Sequence, residues 1–202
     1  MTRILLSGCC GKMGRNVVSV VNARKDCEIV AGIDIIDDST LGFPVFQNYS
    51  EVDVKADVII DFSNPALLSD MLDFAVKTNT SVVLATTGLS DEQIKDIEKA
   101  SEKIAVFFSY NMSLGVSLLC ELSKTAAKIL GTDFDVEIVE AHHNQKIDAP
   151  SGTAIMLGNA VKEMMPDAYF EYDRHSKREK RHTNEIGIHS VRGGTIVGEH
   201  EV

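Results

Sequence analysis

The sequence predicts a doubly wound α/β domain followed by an α+β domain built on a mixed sheet. Three observations carry that expectation. Short runs rich in β-branched residues alternate with helical patterns over the first half of the chain. Glycines stand at 8, 11 and 14, directly after the first of these runs. From Ser113 the alternation gives way to one long helix and then to strand-like segments, which puts the expected domains at 1–112 and 113–202.

The elements follow in order. "RILLS" (3–7) is a buried strand, and after the glycine loop the spacing of Met13, Val17, Val18, Val20 and Val21 suits a helix. "EIVAGID" (28–34) and "ADVIIDFS" (56–63) are the next strands, and Pro65 suits the first turn of the helix after them. "SVVLATT" (81–87) and "IAVFFS" (104–109) complete the set, around a polar helix opened by the capping pair Ser90 and Gln93. Strands alternating with helices of this length imply a parallel sheet with right-handed crossovers. In the second half a helix from Ser113 stops at Gly131, "FDVEIVEAHH" (134–143) alternates as a strand, and a helix starts near Ser151. "IGIHSVRGG" and "TIVGEHEV" read as two strands joined near Gly193 and Gly194. The charged run 173–185 that leads into them reads as a solvated loop, with steering of an acidic substrate as the alternative.

Bulk properties narrow the function. With 202 residues, 44% of them hydrophobic, the chain can bury a main core and a smaller one. A formal charge of −10 argues against nucleic acid or an anionic membrane as partner. No apolar run reaches the roughly 18 residues of a membrane span, and "MTRILLSG" is too short for a secretion signal. Cys9, Cys10, Cys27 and Cys120 lack zinc-type spacing and suit reduced thiols of a cytoplasmic protein.

"GCCGKMG" (8–14) is a variant of the dinucleotide fingerprint, in which glycines let the backbone approach a pyrophosphate at a helix start. Asp34, about twenty residues on, can bind ribose hydroxyls. Together they predict a Rossmann-type nicotinamide site; a tight strand–helix turn without ligand is the alternative. A carboxylate at Asp34 would repel a 2′-phosphate and "DIIDDS" holds no arginine, although Lys12 and Arg15 lie near in sequence. NADH is therefore favoured, with NADPH tolerated.

"ATTG" (85–88) and "YNMS" (110–113) follow strands, at the edge where open α/β sheets bind ligands. "EAHHNQKIDAPSGTA" (140–154) carries more chemistry. Consecutive His142 and His143 at a strand end should point to opposite sides, which opposes a shared zinc; no metal is expected. One imidazole can handle a proton while the other orients or binds substrate, and Lys146 adds a second proton donor or a cation. Ser151, Gly152 and Thr153 open a helix whose free amides favour a carboxylate. An edge histidine pair beside a capped helix is the plain alternative.

In this order "GCCGKMG", "DFSNP", "ATTG", "YNMSLGV", "EAHHNQKIDAPSGTA" and "RGGTIVGEH" resemble the 4-hydroxy-tetrahydrodipicolinate (dihydrodipicolinate) reductase family, from residue 4 to the end of the chain. The resemblance implies a reductase of bacterial lysine and diaminopimelate synthesis. It would pass hydride from NAD(P)H to a cyclic dicarboxylate, with loss of water, giving tetrahydrodipicolinate. It also implies that Gly8, Cys9, Cys10, Gly11, Lys12 and Met13 form the pyrophosphate loop and Asp34 the ribose acid. Ala85, Thr86 and Thr87 with Tyr110, Asn111, Met112 and Ser113 would line the nicotinamide side. His142 and Lys146 would be catalytic, with His143, Gly152 and Thr153 on the substrate. Residues 1–112 would then be the dinucleotide domain, and 113–202 the substrate-binding and homotetramer-forming domain.

The family pattern continues past "IVGEH" through further strands and a helix, so a substrate domain cut short at Val202 is expected, with activity and tetramer in doubt. Two other readings stand beside the reductase. One is a non-catalytic nucleotide-binding fragment or sensor. The other, an amino-acid dehydrogenase of the aspartate pathway, is opposed by the "HHxxK…SGT" block.

Overall fold

The computed structural model describes residues 1–36 and 38–202. They fall into two compact units, 1–109 and 110–202, parting three residues before the boundary drawn from the sequence.

The first unit alternates β1 (Thr2–Ser7), α1 (Lys12–Asn22), β2 (Cys27–Ile33), β3 (Val45–Phe46), β4 (Val58–Asp61), α2 (Leu68–Thr78), β5 (Ser81–Leu84), α3 (Asp91–Ser101) and β6 (Val106–Phe108). The strands lie in the order β3-β2-β1-β4-β5-β6, and every pairing is parallel. Both faces of this sheet are covered, which is why its strands are continuous apolar runs rather than alternations. Along β1, Leu5 enters the cluster built with Leu68, Met71 and Leu72 of α2, while Ile4 and Leu6 pack with Val18 and Val21 of α1. The two-residue β3 was not among the expected strands, being too short for any periodicity to mark it.

Start and stop signals act where the sequence placed them. Asn64 accepts the Ala66 amide and Pro65 opens a 3₁₀ turn that runs into α2. The Ser90–Gln93 capping box is complete in both directions at the head of α3.

The second unit comprises α4 (Leu114–Leu130), β7 (Val136–His142), α5 (Gly152–Lys162), β8 (Tyr169–Glu171), β9 (Glu185–Arg192) and β10 (Glu199–Glu201). Its sheet runs β10-β7-β9-β8, antiparallel only between β10 and β7, and is therefore mixed. Ile138, Ile186 and Ile188 meet Ala154, Leu157 and Val161 of α5, with Ala127 of α4 closing the core. The two strands expected around Gly193 and Gly194 do not pair with each other: they flank β7 on opposite sides. The chain crosses over because Gly193 donates to the His142 carbonyl and Asn144 to Gly194, extending the β7–β9 ladder before the turn. Of "TIVGEHEV" only Glu199–Glu201 is strand.

The charged run is an exposed loop, as expected, but it is pinned at three points. Arg174 grips the buried Glu185, Lys177 pairs with Glu171, and Arg181 reaches Asp135 and Glu137. These pairs staple the segment to the sheet. Among the described residues no helix is long and apolar enough to cross a membrane.

Candidate active site

In the first unit the glycine loop fits a dinucleotide for steric reasons. Gly8 has φ +76°, and a Cβ there would lie 2.6 Å from the Phe62 carbonyl oxygen. A Cβ on Gly14 would come within 2.1 Å of the Gly8 carbonyl, so α1 can start against the loop only with glycine at that position. Gly11 caps α1 without a side-chain bond, which leaves the first helical amides open to an anion. Cys9, Cys10, Lys12 and Met13 complete this loop. Asp34 follows β2 and reaches back over it, accepting the Cys10 amide at 2.9 Å and the Ile36 amide at 3.3 Å. Of the acidic run beyond, Asp37 lies outside the described residues. Arg15 does not stand open to a phosphate: it donates to Asp38 at 2.7 Å and to the Cys10 carbonyl at 3.1 Å.

Among the described residues, Cys9, Cys10 and Asp34 are the one grouping of thiol, imidazole and carboxylate atoms close enough to share a cation. Burial, then the neighbouring Cys10, pushes the Cys9 thiol up to about 12, which withholds the thiolate that a metal requires.

At the same C-terminal edge of the sheet, two strands along from β1, Ala85, Thr86 and Thr87 follow β5. Thr86 donates to Asp61 at 2.5 Å and Ser63 donates to its other oxygen at 2.5 Å. Asp61 ends β4 in register with Ser7 and Leu84 and is buried. Two hydroxyls thus fix a carboxylate directly beneath the "ATT" turn.

In the second unit, Tyr110 to Ser113 pack on the start of α5. Asn111 donates to the Thr153 hydroxyl at 2.9 Å and accepts the Ser113 amide at 2.8 Å. A Cβ on Gly152 would lie 2.9 Å from the Tyr110 Cβ, so the tyrosine can press on the helix start only because residue 152 is glycine. Ser151 caps α5 by accepting the Ala154 amide. The Gly152 and Thr153 amides lie in the first turn, outside the helical ladder.

His142 and His143 part as the strand geometry requires. His142 turns inward, its Nδ1 2.6 Å from Glu140 Oε2, while His143 Nδ1 accepts the Gln145 amide of its own turn. Lys146 pairs with Asp148 at 2.7 Å. Three residues that sequence reasoning missed complete the cluster. Glu140 is fully buried; burial alone would raise its carboxyl, but hydrogen bonds from Arg192, Ser190, His142 and Ser151 hold it at about 2. Arg192 binds both Glu140 oxygens. His200 hydrogen-bonds Ser151 Oγ through Nε2 at 2.8 Å and meets His142 edge to face at 5.2 Å. Burial and then His142 lower the His200 pKa. The available signal for Glu140 was its place two residues before His142, on the same strand face.

Comparison with known proteins now decides the family. Residues 2–112 match the family model described as dihydrodipicolinate reductase, N-terminus, and residues 115–202 the one described as dihydrodipicolinate reductase, C-terminus. The chain belongs to the dihydrodipicolinate reductase family. It is accordingly an NAD(P)H-dependent oxidoreductase. Among its relatives are the 4-hydroxy-tetrahydrodipicolinate reductases of Clostridium novyi (strain NT), 48% identical, and of Caldanaerobacter subterraneus subsp. tengcongensis, 49% identical. Each alignment covers 100% of this chain and 80% of the relative. A dipicolinate-bound dihydrodipicolinate reductase from Paenisporosarcina sp. TG-14 superposes with a TM-score of 0.69 at 30% identity, over 99% of this chain and 82% of that one. The parallel six-stranded sheet and the separate mixed sheet are thus those of a dihydrodipicolinate reductase.

Proposed function

We propose that this chain performs the reaction its relatives are named for, reducing 4-hydroxy-tetrahydrodipicolinate to tetrahydrodipicolinate with loss of water, in lysine and diaminopimelate synthesis. The observation that carries this reading is the His142 imidazole, fixed through Nδ1 on a buried carboxylate. A nucleotide-binding fragment or sensor would have no use for such a group.

Residues 1–109 hold the dinucleotide, which supplies the hydride when bound. The loop from Gly8 to Met13 takes its pyrophosphate at the start of α1, Asp34 takes the ribose hydroxyls, and Ala85 to Thr87 with Tyr110 to Ser113 line the nicotinamide side. NADH is the preferred form, because Asp34 stands ready for hydroxyls and Arg15 is committed to Asp38. Residues 110–202 bind the dicarboxylate. The amides of Gly152 and Thr153 with the side chains of His143 and Thr153 take its carboxylates. His142 moves the first proton, and Lys146, exchanging Asp148 for substrate, gives the second. The setting is cytoplasmic, as free cysteines suit. The assembly is a homotetramer, supported by apolar side chains turned outward from the sheet, Val139 at 40% and Val191 at 49% exposure.

The test is NADH oxidation on addition of freshly generated substrate. His142→Gln and Lys146→Ala should each lose about 10²–10⁴ in kcat while still binding NADH. A wild-type chain that binds NADH and never oxidises it would favour the fragment reading.

A further inference from the structure

A carboxylate at the end of a strand could stay in water at no cost, yet Glu140 is fully buried. Burial is tolerable only if its lone pairs all find donors. They do. Oε2 accepts from His142 Nδ1 at 2.6 Å and Arg192 Nη1 at 2.8 Å; Oε1 accepts from Arg192 Nη2 at 2.7 Å and the Ser151 amide at 3.1 Å. Arg192 is itself held, donating to the Val191 and Asp148 carbonyls at 2.7 Å each. The guanidinium therefore meets the carboxylate as a two-pronged fork whose position is set by backbone oxygens.

We propose that Glu140 is a positioning residue of the reaction: ionised and locked by Arg192, it holds His142 with its proton on Nδ1 and presents Nε2 as the atom that exchanges protons with substrate. The proposal rests on the reading of His142 as the proton-handling group.

The logic is that of donors and acceptors. An ionised carboxylate only accepts, so the imidazole nitrogen 2.6 Å from it must be an N–H. A neutral imidazole has one N–H, and Nε2 is then a bare lone pair. When Nε2 carries a proton, the imidazolium faces an anion across one short hydrogen bond; when it gives the proton up, the tautomer is already correct for the next turnover. The charged and titratable groups around the imidazole pair are Glu140 on β7, Arg192 on β9, His200 on β10, and Lys146 with its partner Asp148 on the loop after β7. Nε2 has backbone for a neighbour as well: a Cβ at Gly198 would sit 3.0 Å from it, so that approach is open only with glycine there.

The experiment uses the full chain labelled with ¹⁵N-histidine, since two-bond proton–nitrogen correlations distinguish the two tautomers and the imidazolium without any turnover. Wild-type His142 should show the Nδ1–H form when neutral. In Glu140→Gln the amide can present its N–H₂ group to Nδ1, so the Nε2–H form should gain and the pH midpoint of His142 should fall by about one unit or more. Turnover should fall with it while KM for NADH holds. Wild-type His142 in the Nε2–H form, or tautomer and midpoint unchanged in the variant, overturns the proposal. Should Glu140→Gln fail to fold, the wild-type spectrum alone decides between support and refutation. The two readings fail differently. If His142→Gln abolishes turnover but Glu140→Gln leaves the tautomer alone, only the present proposal falls; if the tautomer changes and turnover does not, the role given to His142 falls and takes this proposal with it.

Discussion

The Arg15 guanidinium lies 2.7 Å from the Asp38 carboxylate, so this cation beside the glycine loop is already neutralised. Hydrogen bonds from Thr40 and then Arg15 hold Asp38 down at about 2, which keeps the pair ionised throughout the physiological range. Asp38→Asn should release Arg15 toward a 2′-phosphate and Asp34→Ala should remove the repulsion. Titration calorimetry should show each moving the NADH:NADPH preference toward NADPH, and the double variant moving it by about tenfold, ~1.4 kcal/mol. A wild-type chain that prefers NADPH tenfold would refute the preference.

Gly14→Ala puts a methyl group into the Gly8 carbonyl at 2.1 Å, backbone against backbone, so the start of α1 must shift. The expected cost is about 1–3 kcal/mol, a fall of roughly 4–16 °C in the thermal midpoint of a unit of this size. NADH binding should weaken in the same variant if, as proposed, the helix start takes the pyrophosphate. Calorimetry with and without NADH measures both.

Acid should loosen the second unit in two stages. His200 has its folded pKa lowered, so the unfolded chain takes up its proton first and stability falls as pH drops below about 6.5. Glu140 is depressed to about 2, so the stability it gives is complete above the usual carboxyl range and is lost as pH falls through that range toward 2. Thermal midpoints between pH 7 and 5 should decline in the wild type and flatten in His200→Gln. Parallel slopes in the two proteins would contradict the assignment.

Thr153→Val deletes a hydroxyl that takes an N–H from Asn111 and keeps its own proton to give. KM for the dicarboxylate should rise by about tenfold or more, from a loss of roughly 1.5–3 kcal/mol for a bond to a charged group. Asn111→Ala keeps the Thr153 hydroxyl and removes its Asn111 donor, so it should raise KM for the dicarboxylate less.

The legible parts of this molecule were those written within a few residues of each other. The glycine loop, the Ser90–Gln93 box and the Ser151 cap are local, and each was placed from the residues alone. What escaped was written at long range. Glu140 reads as one more polar position in an alternating strand, and only Arg192, 52 residues later, turns it into a buried anion. His200 sits 49 residues from the serine it bonds. The exposure of the charged run was legible, but its anchors were not, because Glu137 and Glu171 belong to strands outside the run. Two-residue β3 has no period to detect.

The flanking of β7 by β9 and β10 sets an order of events during synthesis. His142 is joined to the chain 50 residues before Arg192 and 58 before His200. At 5–20 residues per second that interval is roughly 3–10 s, long compared with the folding time of a small α/β unit. Residues 1–109 can close their sheet in that time, whereas β7 waits for strands on both sides. Chains arrested before residue 185 should therefore protect the first unit from protease and leave the second open. The glycine loop is finished early, whereas the cluster of Glu140, His142, Arg192 and His200 must wait for β9 and β10.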